Sequence, residues 1–164
     1  MNILLLGDVV GRPGREAVTR HLPALRRDLG LDVAIVNAEN AAHGFGLTEK
    51  ICGELYEAGA DILTTGNHVW DQREIIPYLD RDPRVLRPAN FPPGTPGAGL
   101  RLHTLGDGRQ LVVVNLMGRL FMDMLDDPFA GLKALLAGRA VGGGTAVVVD
   151  FHAEATSEKH AMGH

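Results

Sequence analysis

The sequence predicts an α/β domain, and three observations carry that reading. Short apolar runs alternate with longer amphipathic stretches, as in a mainly parallel sheet covered by helices. No apolar run approaches the length needed to cross a bilayer; the strongest, LVVVNLMG, is strand-sized. A chain of 164 residues with 45% hydrophobic and 22% charged residues fits one compact domain, or a large piece of a bigger one.

The elements follow in order. Residues 2–6, 33–36 and 61–65 read as three strands, and each is followed by a polar loop and a helix-like segment, at 14–29, 48–58 and 72–79. Thr48 is placed to cap the second helix, and Gly59 stands where a left-handed turn would end it. Residues 87–99 hold four prolines and three glycines, too many for a helix or a central strand, so an ordered loop or lid is expected. Runs at 99–105 and 110–116 flank Gly106-Asp107-Gly108 and predict an antiparallel hairpin. A helix at 128–136, a glycine turn at 142–144 and a strand at 145–151 resume the alternation. The final AEATSEKHAMGH begins like a helix and ends without a recognisable stop, so it reads as cut.

Several function classes are excluded at this level. Sixteen basic against twenty acidic residues give a net charge of −4, which offers no general attraction to nucleic acid or to an acidic membrane. The opening MNILLLGDVVG lacks the basic stretch of a signal peptide, and Asp8 interrupts its apolar run. The single cysteine, Cys52, sits beside apolar Ile51 and Leu55; a buried thiol and a reducing, cytoplasmic compartment are expected. In GDVVGRPG the glycines are spaced wrongly for a dinucleotide fingerprint, and HGFGLTEK lacks the Gly-Lys-Ser/Thr ending of a phosphate-binding loop.

Ligands of open α/β sheets bind beyond the carboxyl ends of the strands, and the polar residues standing there are coherent. Asp8 follows the first strand. Asn37, Glu39 and Asn40 follow the second, Asn67 and His68 the third, and Asp150, His152 and Glu154 the late strand. Taken singly, each has a bland explanation as a cap, a turn residue or an ordinary hydrogen-bonded histidine. Their recurrence at one end of several strands favours a site for divalent metal ions, with manganese, iron or zinc suited better than calcium. Arg12, Arg15, Arg87 and Arg119 lie in or near loops that can face such a site and hold a phosphate.

The motifs GDVVGRPG, VNAENAAHGFG, TTGNHVWD, RPANFPPGTPG, NLMGRLFM and DFHAEATSEK, in that order and across essentially the whole chain, resemble those of the YmdB-like metallophosphoesterases. The resemblance implies a layered sandwich of mixed β-sheets flanked by helices, one domain over residues 1–164. It also implies a phosphodiesterase acting on phosphodiesters such as 2′,3′-cyclic nucleotides through two divalent metal ions, with iron or manganese ahead of zinc. Carried over by position, Asp8, Glu39, Asn40, Asn67 and His152 look like metal ligands, with Glu39 bridging both ions, and His68 is similar to the catalytic histidine beside the scissile phosphate.

The family continues past DFHAEATSEK into a strand ending in Gly-Thr-His-Thr-His, whose two histidines complete the metal shell; this sequence ends before it. The expectation is therefore a domain whose C-terminal part is missing, with each metal short of one imidazole. His160 and His164 have the i, i+4 spacing to share a helix face, yet their distance from the strand ends argues against their replacing that pair. A sheet ended early leaves an edge or apolar face that favours a homo-oligomer. The rival readings at this level are a non-catalytic fragment that binds metal or nucleotide weakly, and an ordinary α/β structural module.

Overall fold

The computed structural model describes residues 1–139 and 141–164. Seven strands are present, β1 (Ile3–Leu6), β2 (Val33–Asn37), β3 (Ile62–Thr64), β4 (Val85–Leu86), β5 (Leu100–Thr104), β6 (Gln110–Met117) and β7 (Thr145–His152). Five helices accompany them, α1 (Gly11–Asp28), α2 (Glu49–Glu57), α3 (Ile75–Leu79), α4 (Pro128–Leu136) and α5 (Thr156–Gly163).

The strands do not share one sheet. β1-β2-β3-β4 form a parallel sheet in that order, and β5-β6-β7 form a second, in which β5 pairs antiparallel and β7 parallel to β6. The single parallel sheet expected from periodicity is thus replaced by the layered sandwich implied by the family motifs. Periodicity reports which residues are buried, and says nothing of which sheet a strand joins.

Alternation along the strands shows the layers. Val33, Ile35, Ile62 and Leu86 meet Leu111 and Val113 between the two sheets. The neighbouring positions Ala34, Val36, Leu63 and Val85 face the other way, toward Val18 and Leu22 of α1 and Ile51, Cys52 and Leu55 of α2. On the outer face of the second sheet, Val112, Val114 and Leu116 meet Leu132, Leu135 and Leu136 of α4. β2 is buried at every position because both of its faces are covered.

Element boundaries follow from local chemistry. α1 begins three residues earlier than expected, because Pro13 in its first turn lacks only an N–H that has no helical partner there. Thr48 caps α2 by accepting from the Ile51 N–H, and Gly59, at φ 107°, turns the chain out of it. The hairpin and α4 stand where the sequence placed them. The helix expected at 72–79 shortens to α3, preceded by a 3-10 turn at Asn67–Trp70, and the two-residue β4 was not expected. The 87–99 segment is held by Arg87, buried, which donates to the carbonyls of Pro88, Thr95 and Pro96.

Just before β4, buried Asp82 accepts from Arg84 Nε and Nη2, each at 3.0 Å, and from the Tyr78 hydroxyl at 2.8 Å. Burial pushes its carboxyl up, but these donors outweigh that and hold it below the usual aspartate value. A carboxyl depressed in the folded state stabilises the fold above its unfolded value, near pH 4, and loses that contribution as pH falls through the folded value. Asp82→Asn should therefore cost about 1–3 kcal/mol at pH 7. Urea melts of variant and parent should converge in acid; a gap that persists undiminished there would contradict this assignment.

Candidate active site

The first sheet's carboxyl ends and the end of β7 open into one cavity of about 380 Å³, lined by Asp8, Glu39, Asn40, Asn67, His68, His152 and Glu154 together with Phe121, Met122 and Asp123. Every residue singled out as a metal ligand or catalytic group is in that lining. The strands deliver them separately: Asp8 follows β1, Glu39 and Asn40 follow β2, Asn67 and His68 open the turn after β3, and His152 ends β7.

Polar staples beneath the cavity fix the second sheet against the first. Asn115 Oδ1 on β6 accepts from the Thr65 N–H at 3.0 Å, and Asp150 on β7 accepts from Asn37 and from the Thr64 hydroxyl. Asn37 and Asp150, candidates from their strand-end positions, are thus absent from the lining; their side chains are spent holding β7 to β2 and β3. Gly66 permits the close approach above them. A Cβ there would collide with Glu39 Oε2 and would stand 2.7 Å from the His152 ring.

Glu39 is the centre of the cluster. Its side chain is only 1% exposed, and burial, abetted by the charges of Asp8 and Asp150 and opposed by the His68 backbone N–H, pushes its carboxyl up to about 7. Oε2 accepts a long hydrogen bond, 3.4 Å, from the His68 N–H, while Oε1 has no donor. His152 Nδ1 stands 3.1 Å from Oε1 in a geometry that makes no hydrogen bond. The ring's Nε2 lies 3.0 Å from Asn67 Oδ1, which accepts only, so the ring proton sits on Nε2 and Nδ1 turns a lone pair toward the carboxylate. Burial also holds the imidazole below its ordinary pKa, in the neutral form that ligates metals.

Asn40 Nδ2 donates to both Asp8 oxygens, at 3.0 and 2.9 Å, and its Oδ1 is buried without a partner. The lining includes four carboxylates, from Asp8, Glu39, Asp123 and Glu154, and neither lysine nor arginine. Two orphaned oxygens and an unprotonated ring nitrogen, set among uncompensated carboxylates, fit divalent cations. Among the described residues no three His, Cys, Asp or Glu side chains group closely enough to hold an ion by themselves; the converging set depends on the amides of Asn40 and Asn67.

His68 is oriented from two sides. Nδ1 lies 2.8 Å from Asp71 Oδ2, three residues on, and the Phe45 ring meets its edge at 5.0 Å. Asp71 was not singled out from sequence, although its i, i+3 spacing from His68 within TTGNHVWD was available. Phe121, Met122 and Asp123 were also missed, since nothing local directs that loop to the cavity.

The four arginines considered for phosphate do not line the cavity. Arg87 serves the 87–99 loop, Arg15 pairs with Glu54 at 3.3 Å, Arg12 pairs with Glu16, and Arg119 borders a neighbouring hollow. His160 and His164, at the exposed end of α5, are absent from the lining as well. Cys52 is fully buried and unpaired, and burial pushes its thiol up, so it is inert as a nucleophile.

The model of the YmdB-like protein family matches residues 4–164. The chain belongs to that family. It is 50% identical over 163 residues to the 2′,3′-cyclic-nucleotide 2′-phosphodiesterase of Bacillus subtilis, an alignment covering 99% of this chain and 61% of that protein. A hypothetical protein of Thermus thermophilus, known from its crystal structure, superposes with a TM-score of 0.91 and 46% identity, over 99% of this chain and 62% of that one. A crystal structure described as a novel phosphatase, from Mycoplasma pneumoniae, superposes with a TM-score of 0.88 and 34% identity, over 98% and 58%. This YmdB-like chain thus spans about three-fifths of the length of these relatives.

Proposed function

We propose that the cavity is the site of a metal-dependent phosphodiesterase acting on small phosphodiesters such as 2′,3′-cyclic nucleotides. The observation that carries the reading is the pair of buried, donorless oxygens, Glu39 Oε1 and Asn40 Oδ1, in a cavity whose charged lining is acidic. A phosphodiester anion enters such a cavity only when cations neutralise it. Asp8, Glu39, Asn40, Asn67 and His152 would hold two divalent ions, with iron or manganese ahead of zinc and Glu39 shared between them. Bound there, the ions supply charge neutralisation and an activated water.

The chain's own groups do the rest. Gly66 lets Glu39 and His152 approach, the staples below keep β7 in register with the first sheet, and Asp71 and Phe45 fix the His68 ring over the cavity. For a 2′,3′-cyclic substrate, water adds to phosphorus as one P–O bond to ribose breaks; His68 gives a proton to the departing ribose oxygen, leaving a phosphomonoester. The single, buried cysteine suits a reducing compartment, and cytoplasm is the proposed location; among the described residues no helix is long and apolar enough to cross a membrane.

One observation favours the rival, non-catalytic reading: the lining has only two imidazoles, and its acidic and imidazole groups alone form no metal-holding cluster among the described residues. Elemental analysis of the purified chain separates the two. Bound iron, manganese and zinc should total about two per chain, judged against the two-metal expectation, with manganese-supported hydrolysis of 2′,3′-cyclic AMP. Metal near zero without hydrolysis would leave a weak binding module.

A further inference from the structure

The lining has two chemically different parts. The polar part takes the phosphate, while Phe121, Met122 and Asp123 come from the loop between β6 and α4. Phe121 is 90% exposed and has a φ of 64°, a left-handed conformation that a bulky residue adopts at a cost of about 1–3 kcal/mol.

That loop is clamped from both ends by buried polar side chains. Asn90, before α4 in space and 4% exposed, donates from Nδ2 to the carbonyls of Met117 and Asp126, at 2.8 and 3.0 Å, and accepts from the Met117 N–H at 3.0 Å. Its own carbonyl accepts from the Asp126 N–H at 3.1 Å. The buried carboxylate of Glu158 on α5 accepts from the N–H groups of Arg119 and Leu120, at 2.9 and 3.1 Å. Gly118 lets that carboxylate in: a Cβ there would stand 2.6 Å from Glu158 Oε2. An aromatic ring that packs against little, in a strained backbone held by two buried clamps, at the mouth of a cavity that is otherwise polar, is shaped to receive a flat apolar group.

We infer that Phe121 is a specificity-determining residue, the platform on which the nucleobase of a nucleoside phosphodiester stacks while the phosphate sits among Asp8, Glu39, Asn40, Asn67, His68 and His152. This rests on the phosphodiesterase reading and adds the part of the substrate that reading leaves open. Asn90 and Glu158 are positioning residues, acting only through the loop. Stacking of a base on an aromatic ring is sequence-tolerant because every base has a π-face, so the platform selects for a base over none rather than for one base over another.

The test compares 2′,3′-cyclic AMP with the methyl ribofuranoside carrying the same cyclic phosphate and no base. Phe121→Ala should lower the ratio of kcat/KM values, nucleotide over ribofuranoside, about tenfold, mainly through KM for the nucleotide. Phe121→Leu keeps apolar bulk without a π-face and should behave like the alanine variant; Phe121→Trp should restore the ratio or raise it. Because the ring is exposed, none of these changes bears on folding.

A binding arm keeps this inference separate from the reading beneath it. Calorimetric titration with adenosine 3′-monophosphate and with ribose 3-phosphate should show the same loss of discrimination in Phe121→Ala. If the parent protein hydrolyses neither cyclic phosphate but the variant still loses that discrimination, the phosphodiesterase reading fails and the platform stands. If both compounds are hydrolysed and no variant changes either ratio, the platform is refuted while the reading stands. A variant that alters only the sedimentation behaviour would place Phe121 at an interface between chains and likewise overturn the inference.

Discussion

Glu39→Gln is expected to strip the protein of bound metal, to cut phosphodiesterase activity by at least about 100-fold, and yet to stabilise the metal-free fold. The first two effects follow from what Glu39 offers: a carboxylate 1% exposed, with Oε1 unpartnered and facing the lone pair of His152 Nδ1 at 3.1 Å. Even changes one step removed from a metal ligand weaken binding about 10–100-fold, and a shared carboxylate serves both ions. The third effect has the opposite sign. Without metal, a buried carboxylate beside Asp8 and above Asp150 is uncompensated, which is why its pKa rises to about 7. Glutamine keeps the volume, removes the charge, and can turn an amide N–H toward His152 Nδ1.

The metal-free variant should therefore gain about 1–3 kcal/mol over the parent when both are melted at pH 8 in chelator. The pH dependence has a definite sign. A carboxyl raised in the folded state stabilises the fold below its unfolded value, near 4.3, and that contribution is lost as pH rises through about 7, so the variant's advantage grows from acid to alkaline solution. Metal analysis of the same preparations completes the experiment. A glutamine variant that keeps its parent's metal would remove Glu39 from the ligand set.

The sequence made the site more legible than the fold that builds it. Asp8, Glu39, Asn40, Asn67, His68 and His152 could be read because each follows an apolar run directly, and a strand's direction fixes where its end delivers a side chain. Asn37 and Asp150 show the limit of that rule: a polar residue at a strand end can face the cavity or the opposite sheet, and only the pairing of β6 with β7 decides between them. The split into two sheets left no trace in periodicity, because β2 and β6 are buried on both faces whichever sheet they join. Arg87 looked free in a proline-rich loop and is consumed by three carbonyls of that loop. Phe121 was illegible for a related reason: its direction is imposed by Asn90 and Glu158, which lie 31 and 37 residues away along the chain.

His68→Ala is expected to lower kcat on 2′,3′-cyclic AMP by about 10²–10⁴-fold while leaving metal content near that of the parent. Asp71 Oδ2, at 2.8 Å, takes the proton of Nδ1, which leaves Nε2 as the working nitrogen of the ring. The Phe45 edge limits the ring's rotation, and the side chain is 30% exposed, open enough to exchange protons with solvent between turnovers. Leaving-group chemistry then distinguishes proton donation from mere binding. A ribose alkoxide is a poor leaving group and needs a proton in the transition state, whereas nitrophenolate departs without one. The alanine variant should thus lose far more activity on the cyclic nucleotide than on bis(p-nitrophenyl) phosphate. Equal losses on the two substrates would reassign His68 to holding the phosphate, and no loss on either would take it out of the reaction. In the first outcome the pH profile of kcat on the nucleotide should also lose its alkaline limb in the variant, since the group whose deprotonation ends catalysis is gone.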